Sequence, residues 1–235
     1  MKRMIIASTS TIHKGRYLEY LLADLKTLFK ETDNILFIPY ARPSGISYDD
    51  YTKIATKGFS EIGKKVKGIH TFDNPETAIK EAKAIFVGGG NTFVLLNELY
   101  KNNLITTLKK AVISGTPYLG TSAGSNICGL SIKTTNDMPI VYPKSLNALG
   151  LVPFNINPHY LDTDTSSKHM GESRETRIKE FHKFNTPPVI GLREGSWLEV
   201  NGDAIKLKGT LTARIFEYNK TPYEVESGTE LHLLK

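Results

Sequence analysis

Cysteine is almost missing: Cys128 stands alone in 235 residues. A single thiol excludes an intramolecular disulfide and any zinc site built from several cysteines. No histidine falls in an HExxH or similar spacing, so no metal site is expected. Long apolar runs are missing too. With no stretch of 18 apolar residues, no helical membrane span is expected. The basic start, Met1-Lys2-Arg3, leads into only four apolar residues, Met4 to Ala7. That is shorter than a signal-peptide core and reads instead as a first β-strand. There is no Pro/Ser/Gly linker of useful length and no internal repeat. These gaps leave a single soluble domain over residues 1–235, expected in the cytoplasm. The charge is +6, with basic and acidic residues interleaved. That balance suits anionic small molecules and does not by itself mark a nucleic-acid binder.

What is present alternates. Apolar runs at Met4–Ser8, Ile35–Ile38, Val66–Phe72, Ala84–Val87 and Pro117–Gly120 read as strands. Between them, Tyr17 to Phe29, Tyr51 to Ile62, Phe93 to Tyr100 and Leu104 to Ser114 carry apolar residues at helical spacing. Asn74-Pro75 reads as an N-cap followed by proline at the first helical position. This pace predicts an α/β fold, with a mostly parallel sheet covered by helices on both faces. Ser196–Val200, Ala204–Leu207 and Ala213–Glu217 read as antiparallel C-terminal strands added to the same sheet, with Asn201-Gly202 as a hairpin turn. Ligands of such sheets bind beyond the carboxyl ends of the strands. The loops after Val87 and Leu119 are therefore the first places for a site.

Gly120-Thr121-Ser122-Ala123-Gly124 follows one of these strands and matches the G-x-S-x-G elbow. A serine on a sharp strand-to-helix turn holds a strained backbone, and side chains on its neighbours would clash. The turn exposes Oγ and aims the next N–H, that of Ala123, at the same spot. Gly88-Gly89-Gly90-Asn91-Thr92 follows another strand and opens a helix. It lacks the dinucleotide fingerprint, because position 93 is Phe, and no Gly-Lys-Ser/Thr follows for a phosphate loop. A second oxyanion donor, facing the elbow, is the economical reading.

A serine nucleophile needs a base, and there are six histidines. His13, His70, His169, His182 and His232 lie in a helix start, a strand, a polar loop, a charged helix and the terminus. His159, in Asn155-Ile156-Asn157-Pro158-His159-Tyr160, stands at the end of a strand-like stretch. Two acids are candidates to orient it: Glu194 in Arg193-Glu194-Gly195-Ser196, and Asp137 in Thr134-Thr135-Asn136-Asp137-Met138-Pro139. Arg174 and Arg177 share one face of a helix start and could hold a carboxylate, or could simply pair with Glu172, Glu175 or Glu180.

Together these segments, with Gly171-Glu172-Ser173-Arg174-Glu175-Thr176-Arg177, closely resemble peptidase E, the α-aspartyl dipeptidase family with its cyanophycinase-like relatives. The resemblance runs from the first strand to about Ser196. It implies a serine peptidase on a glutamine-amidotransferase-like fold, needing no cofactor, with Ser122 as nucleophile and His159 as base. Glu194 becomes the favoured partner of His159, with Asp137 as support or alternative orienter. The implied oxyanion donors are Ala123 with Gly89 or Gly90. Asn91, Arg174 and Arg177 become the implied substrate contacts, and the implied substrate is a small peptide with N-terminal aspartate. Alternatives are an exopeptidase on an Asp-containing polymer, a non-catalytic ligand-binding relative and a nucleotide-binding enzyme. One departure is Arg193, where relatives often carry proline.

Overall fold

The central strands of the main sheet are buried on both faces. A computed structural model describes residues 1–163 and 171–231. Five parallel strands build most of the main sheet: β1 (Arg3–Ala7), β2 (Asn34–Ile38), β3 (Lys65–Gly68), β4 (Ile85–Val87) and β5 (Tyr118–Thr121). Two antiparallel strands, β8 (Ser196–Asn201) and β9 (Ala204–Gly209), extend it past β1 to give the order β3-β2-β4-β5-β1-β8-β9. Successive residues of β1 face opposite sides of the sheet, so Ile5 and Ala7 enter one core while Met4 and Ile6 enter the other. Burial on both faces makes such strands continuous apolar runs in the sequence.

Helices α1 (Leu22–Leu28) and α2 (Tyr48–Ser60) cover the Ile5 face with Leu25, Tyr51, Ala55 and Phe59. Helices α3 (Pro75–Glu81), α4 (Thr92–Lys101) and α5 (Ile105–Ile113) cover the other with Ile79, Leu95, Leu99 and Leu108. Asn74 caps α3 by accepting from the Thr77 N–H at 3.0 Å, with Pro75 in the first helical position. No described helix is long and apolar enough to cross a membrane.

Two sequence readings are corrected. The third strand ends at Gly68, and residues Ile69–Thr71 turn as a 3₁₀ segment, so His70 is not in a strand. The run beginning at Ala213 does not join the main sheet. It forms β10 (Ala213–Phe216) of a second, four-stranded sheet with β6 (Asn155–Pro158), β7 (Val189–Leu192) and β11 (Tyr223–Val225). Ile156, Ile190, Leu192 and Ile215 of this sheet share the core that contains Met4 and Ile6. An apolar face can be buried by packing as well as by extending a sheet, and a strand pattern alone does not say which. The second sheet is what brings the ends of β6 and β7, carrying His159 and Glu194, over the end of β5.

Candidate active site

Ser122 follows β5 directly and precedes the four-residue helix α6 (Ala123–Asn126). Its backbone is left-handed, φ 53° and ψ −110°, a strain of about 1–3 kcal/mol for a residue with a side chain. Hydrogen bonds on both sides hold it there. The Ser122 N–H donates to Ala7 O at 3.2 Å, and its carbonyl accepts from the N–H groups of Ser125 and Asn126, each at 2.9 Å. The elbow glycines are required by close approach. A Cβ on Gly120 would stand 2.4 Å from Gly124 O, and one on Gly124 would stand 2.2 Å from Val87 O.

His159 follows β6 directly, and its backbone is also left-handed, φ 53°. Its Nε2 accepts from Ser122 Oγ at 2.8 Å, and its Nδ1 lies 2.6 Å from Glu194 Oε1. Accepting at Nε2 requires the proton on Nδ1, which then donates to Glu194. Glu194 sits in the tight turn between β7 and β8, half exposed.

The other sequence candidates fall in different places. Asp137 makes no hydrogen bond to His159. Its Oδ2 accepts from the Thr92 N–H at 2.7 Å and from Thr135 Oγ1 at 3.1 Å, at the start of α4. A carboxylate there satisfies a helix N–H that has no partner within the helix. Asn91 caps the same helix: Oδ1 accepts from the Val94 N–H at 3.1 Å while Nδ2 donates to Met138 O at 2.9 Å. Its carboxamide thus serves the helix start and the Met138 loop. The Gly89 N–H donates to the Tyr51 hydroxyl at 2.9 Å, so it is occupied. Among the described residues, the N–H groups of Gly90 and Ala123 find no acceptor.

Arg174 and Arg177 begin α7 (Arg174–Phe181) and part company there. Arg177 is exposed, with Glu172 at 4.0 Å. Arg174 is half-buried and pairs with no described residue. Burial and then Arg177 press its pKa below the ordinary value, while the carboxylates of Glu194 and Asp137 pull it back up. A guanidinium lying within the field of both acids, without a fixed partner among the described residues, can receive an anionic group.

Several residues that shape the site carry no motif. Ser8, fully buried at the end of β1, accepts from the His159 N–H at 2.8 Å and donates to Leu192 O at 2.7 Å. One hydroxyl thereby joins the strand beside the elbow to the carriers of His159 and Glu194. Its signal was position alone, a polar residue at the carboxyl end of a buried strand. Asn136 Nδ2 donates to Pro158 O at 2.7 Å and Asn157 Nδ2 to Thr134 O at 2.8 Å, which fastens β6 to the 134–137 loop. Arg193, the one departure noted in the sequence, is held by several acceptors. It donates to both oxygens of Asp162, to Thr212 and to Glu224, tying the segment after His159 to β11. Burial alone would raise the Glu224 carboxyl, but hydrogen bonds from Arg193, Thr212 and Arg214 bring it down to about 2. His70 pairs with Asp49 and His182 with Pro187 O. His169 and His232 lie outside the described residues.

The sequence pattern of peptidase family S51 matches residues 4–208, most of the chain. The chain belongs to peptidase family S51. Within it, the chain is 46% identical over 228 residues to peptidase E of Streptomyces coelicolor, covering 97% of this chain and 93% of that one. It is 45% identical over 219 residues to a probable alpha-aspartyl dipeptidase of Drosophila melanogaster, covering 92% and 90%. Among solved structures, a peptidase from an acI-B1 actinobacterium superposes with TM-score 0.74 at 19% identity, covering 98% of this chain and 96% of that chain. A putative peptidase E from Listeria monocytogenes EGD-e gives 0.66 at 23%, covering 89% and 98%. At those identities the structures speak for the shared fold, which a family S51 peptidase here displays.

Proposed function

We propose that this family S51 member is a serine dipeptidase that hydrolyses the bond after an N-terminal aspartate through an acyl-enzyme. The observation that carries the reading is the relay Ser122 Oγ to His159 Nε2 at 2.8 Å, continued from His159 Nδ1 to Glu194 at 2.6 Å, on a strained elbow. Each member has the partner its task requires. The relatives named peptidase E and probable alpha-aspartyl dipeptidase supply the substrate class.

In this mechanism Ser122 Oγ attacks the aspartyl carbonyl and passes its proton to His159. Glu194 holds the imidazole in the accepting tautomer and then stabilises the imidazolium. Gly90 and Ala123, whose N–H groups are unclaimed, donate to the developing oxyanion. His159 returns the proton to the leaving amine, and water, deprotonated by His159, cleaves the acyl-enzyme. Arg174 takes the substrate's side-chain carboxylate, and Arg177, exposed and near Glu172, contributes through its field. Asp137 and Asn91 act from behind, fixing α4 and the loop that carries Asn136. A cytoplasmic location belongs to the same reading.

The test is hydrolysis of Asp-Leu beside Glu-Leu and Ala-Leu, repeated with Ser122→Ala. Cleavage confined to Asp-Leu and abolished in the variant is expected. Equal rates on all three would remove the aspartate specificity, and near-normal turnover by Ser122→Ala would remove the mechanism. Comparing Asp-Leu with an Asp-Arg polymer separates a dipeptidase from a polymer exopeptidase.

A further inference from the structure

Tyr51 was visible in the sequence only as one apolar position of a helical stripe. In the fold it is fully buried on α2, yet its hydroxyl reaches the glycine loop after β4. It accepts from the Gly89 N–H at 2.9 Å and faces Gly89 O at 3.3 Å. The ring is fixed by edge-on packing against Phe37, with centroids 5.0 Å apart. The Arg42 guanidinium lies 4.5 Å above its face. Arg42 Nε is buried without a hydrogen-bond partner among the described residues, and the aromatic face gives the cation a favourable contact. A cation over a phenol draws electron density from the ring and makes the O–H a better donor.

The consequence lies in the peptide plane. Every described peptide bond is trans, so the Gly89 carbonyl and the Gly90 N–H of one peptide point in opposite directions. Holding Gly89 O toward Tyr51 turns the Gly90 N–H away from Tyr51. Gly89 itself lies against the nucleophile, since a Cβ there would stand 3.0 Å from Ser122 Cβ. Glycines resist no rotation of their own, so the loop needs an external anchor to present a fixed donor.

We infer that Tyr51 is a positioning residue whose hydroxyl, on a ring capped by Arg42, locks the Gly89–Gly90 peptide so that Gly90 and not Gly89 donates to the oxyanion. The inference rests on the serine dipeptidase reading above.

Tyr51→Phe keeps the ring and its packing and removes only the hydroxyl. The expected result on Asp-Leu is a fall in kcat of about 10–100-fold with KM held within about twofold, less than the loss of a donor outright. A boronic acid analogue of aspartate supplies the second readout. Ser122 Oγ adds to boron, its proton passes to His159, and a boronate oxygen takes the oxyanion position. Its inhibition constant should weaken by the same factor as kcat/KM. Wild-type kcat in Tyr51→Phe, a loss wholly in KM, or unchanged boronate affinity overturns the assignment. Should Tyr51→Phe fail to fold, Arg42→Met carries the test: kcat should fall roughly two- to fivefold at constant KM, and unchanged kcat overturns it. A wild type that neither cleaves Asp-Leu nor binds the boronate sinks the dipeptidase reading instead.

Discussion

Replacing Ser8 with alanine tests whether the two sheets are coupled through one hydroxyl. In the wild type, Ser8 Oγ accepts from the His159 N–H and donates to Leu192 O. Leu192 O keeps a second donor, the Tyr160 N–H at 3.1 Å, so the carbonyl survives the change. The His159 N–H does not, because no other acceptor is offered to it among the described hydrogen bonds. The space freed is one oxygen, smaller than the roughly 30 Å³ share of a water molecule, so a solvent replacement is not accommodated. An unpaired donor in this position costs about 1–3 kcal/mol. At about 2–4 °C per kcal/mol for a chain of this size, Tm should fall by roughly 6 °C. Activity should fall separately. His159 is held at φ 53°, a conformation that lasts only where its surroundings enforce it, and a shift of about 1 Å in the base can cost on the order of 100-fold. Thermal denaturation and steady-state hydrolysis of Asp-Leu, with Ser8→Thr as the hydroxyl-retaining control, measure both. Ser8→Ala with wild-type Tm and wild-type kcat would refute the coupling. Loss of Tm alone would show that the hydroxyl supports the fold without aiming the base.

Removing the proposed nucleophile with Ser122→Ala should lower kcat on the order of 10⁶-fold in the same assay. Glu194→Ala should lower kcat on the order of 10⁴-fold, while Asp137→Ala, which takes the acceptor from the Thr92 N–H at the start of α4, should lower Tm and cost much less in kcat. Arg174→Ala should raise KM for Asp-Leu at least about tenfold, with Arg177→Ala changing it by less than about threefold; equal effects would contradict their different surroundings. Glu224, brought down to about 2 from an ordinary 4.5, stabilises the fold above about pH 4.5, and that contribution is lost as pH falls toward 2. Discounted for its partial exposure, it is worth about 1–2 kcal/mol. The Tm difference between wild type and Glu224→Gln should therefore be full at pH 6 and nearly gone near pH 2, and a constant difference would argue against it.

Much of this protein follows from the order of its residues alone. A strand buried on both faces must be apolar throughout, and a helix covering it must be apolar at 3.6-residue spacing, so the alternation along residues 4–121 declares an α/β sheet. The elbow is legible for a related reason: Gly120 and Gly124 leave no room for a Cβ, and steric exclusion writes itself into residue type. What the order of residues could not decide was anything set by distance between separate segments. Glu194 and Asp137 are both acids in loops, and only the second sheet, laid against the first through Ile156 and Leu192, puts one beside His159 and sends the other to Thr92. Gly89 and Gly90 are chemically identical, and a hydroxyl on α2 distinguishes them. The roles of Ser8 and Tyr51 leave no pattern in the sequence because each hydroxyl acts through hydrogen bonds to residues far away in the chain. Periodicity and steric exclusion are local and repeat along the sequence, whereas a hydrogen bond across the fold depends on the packing that brings its two ends together.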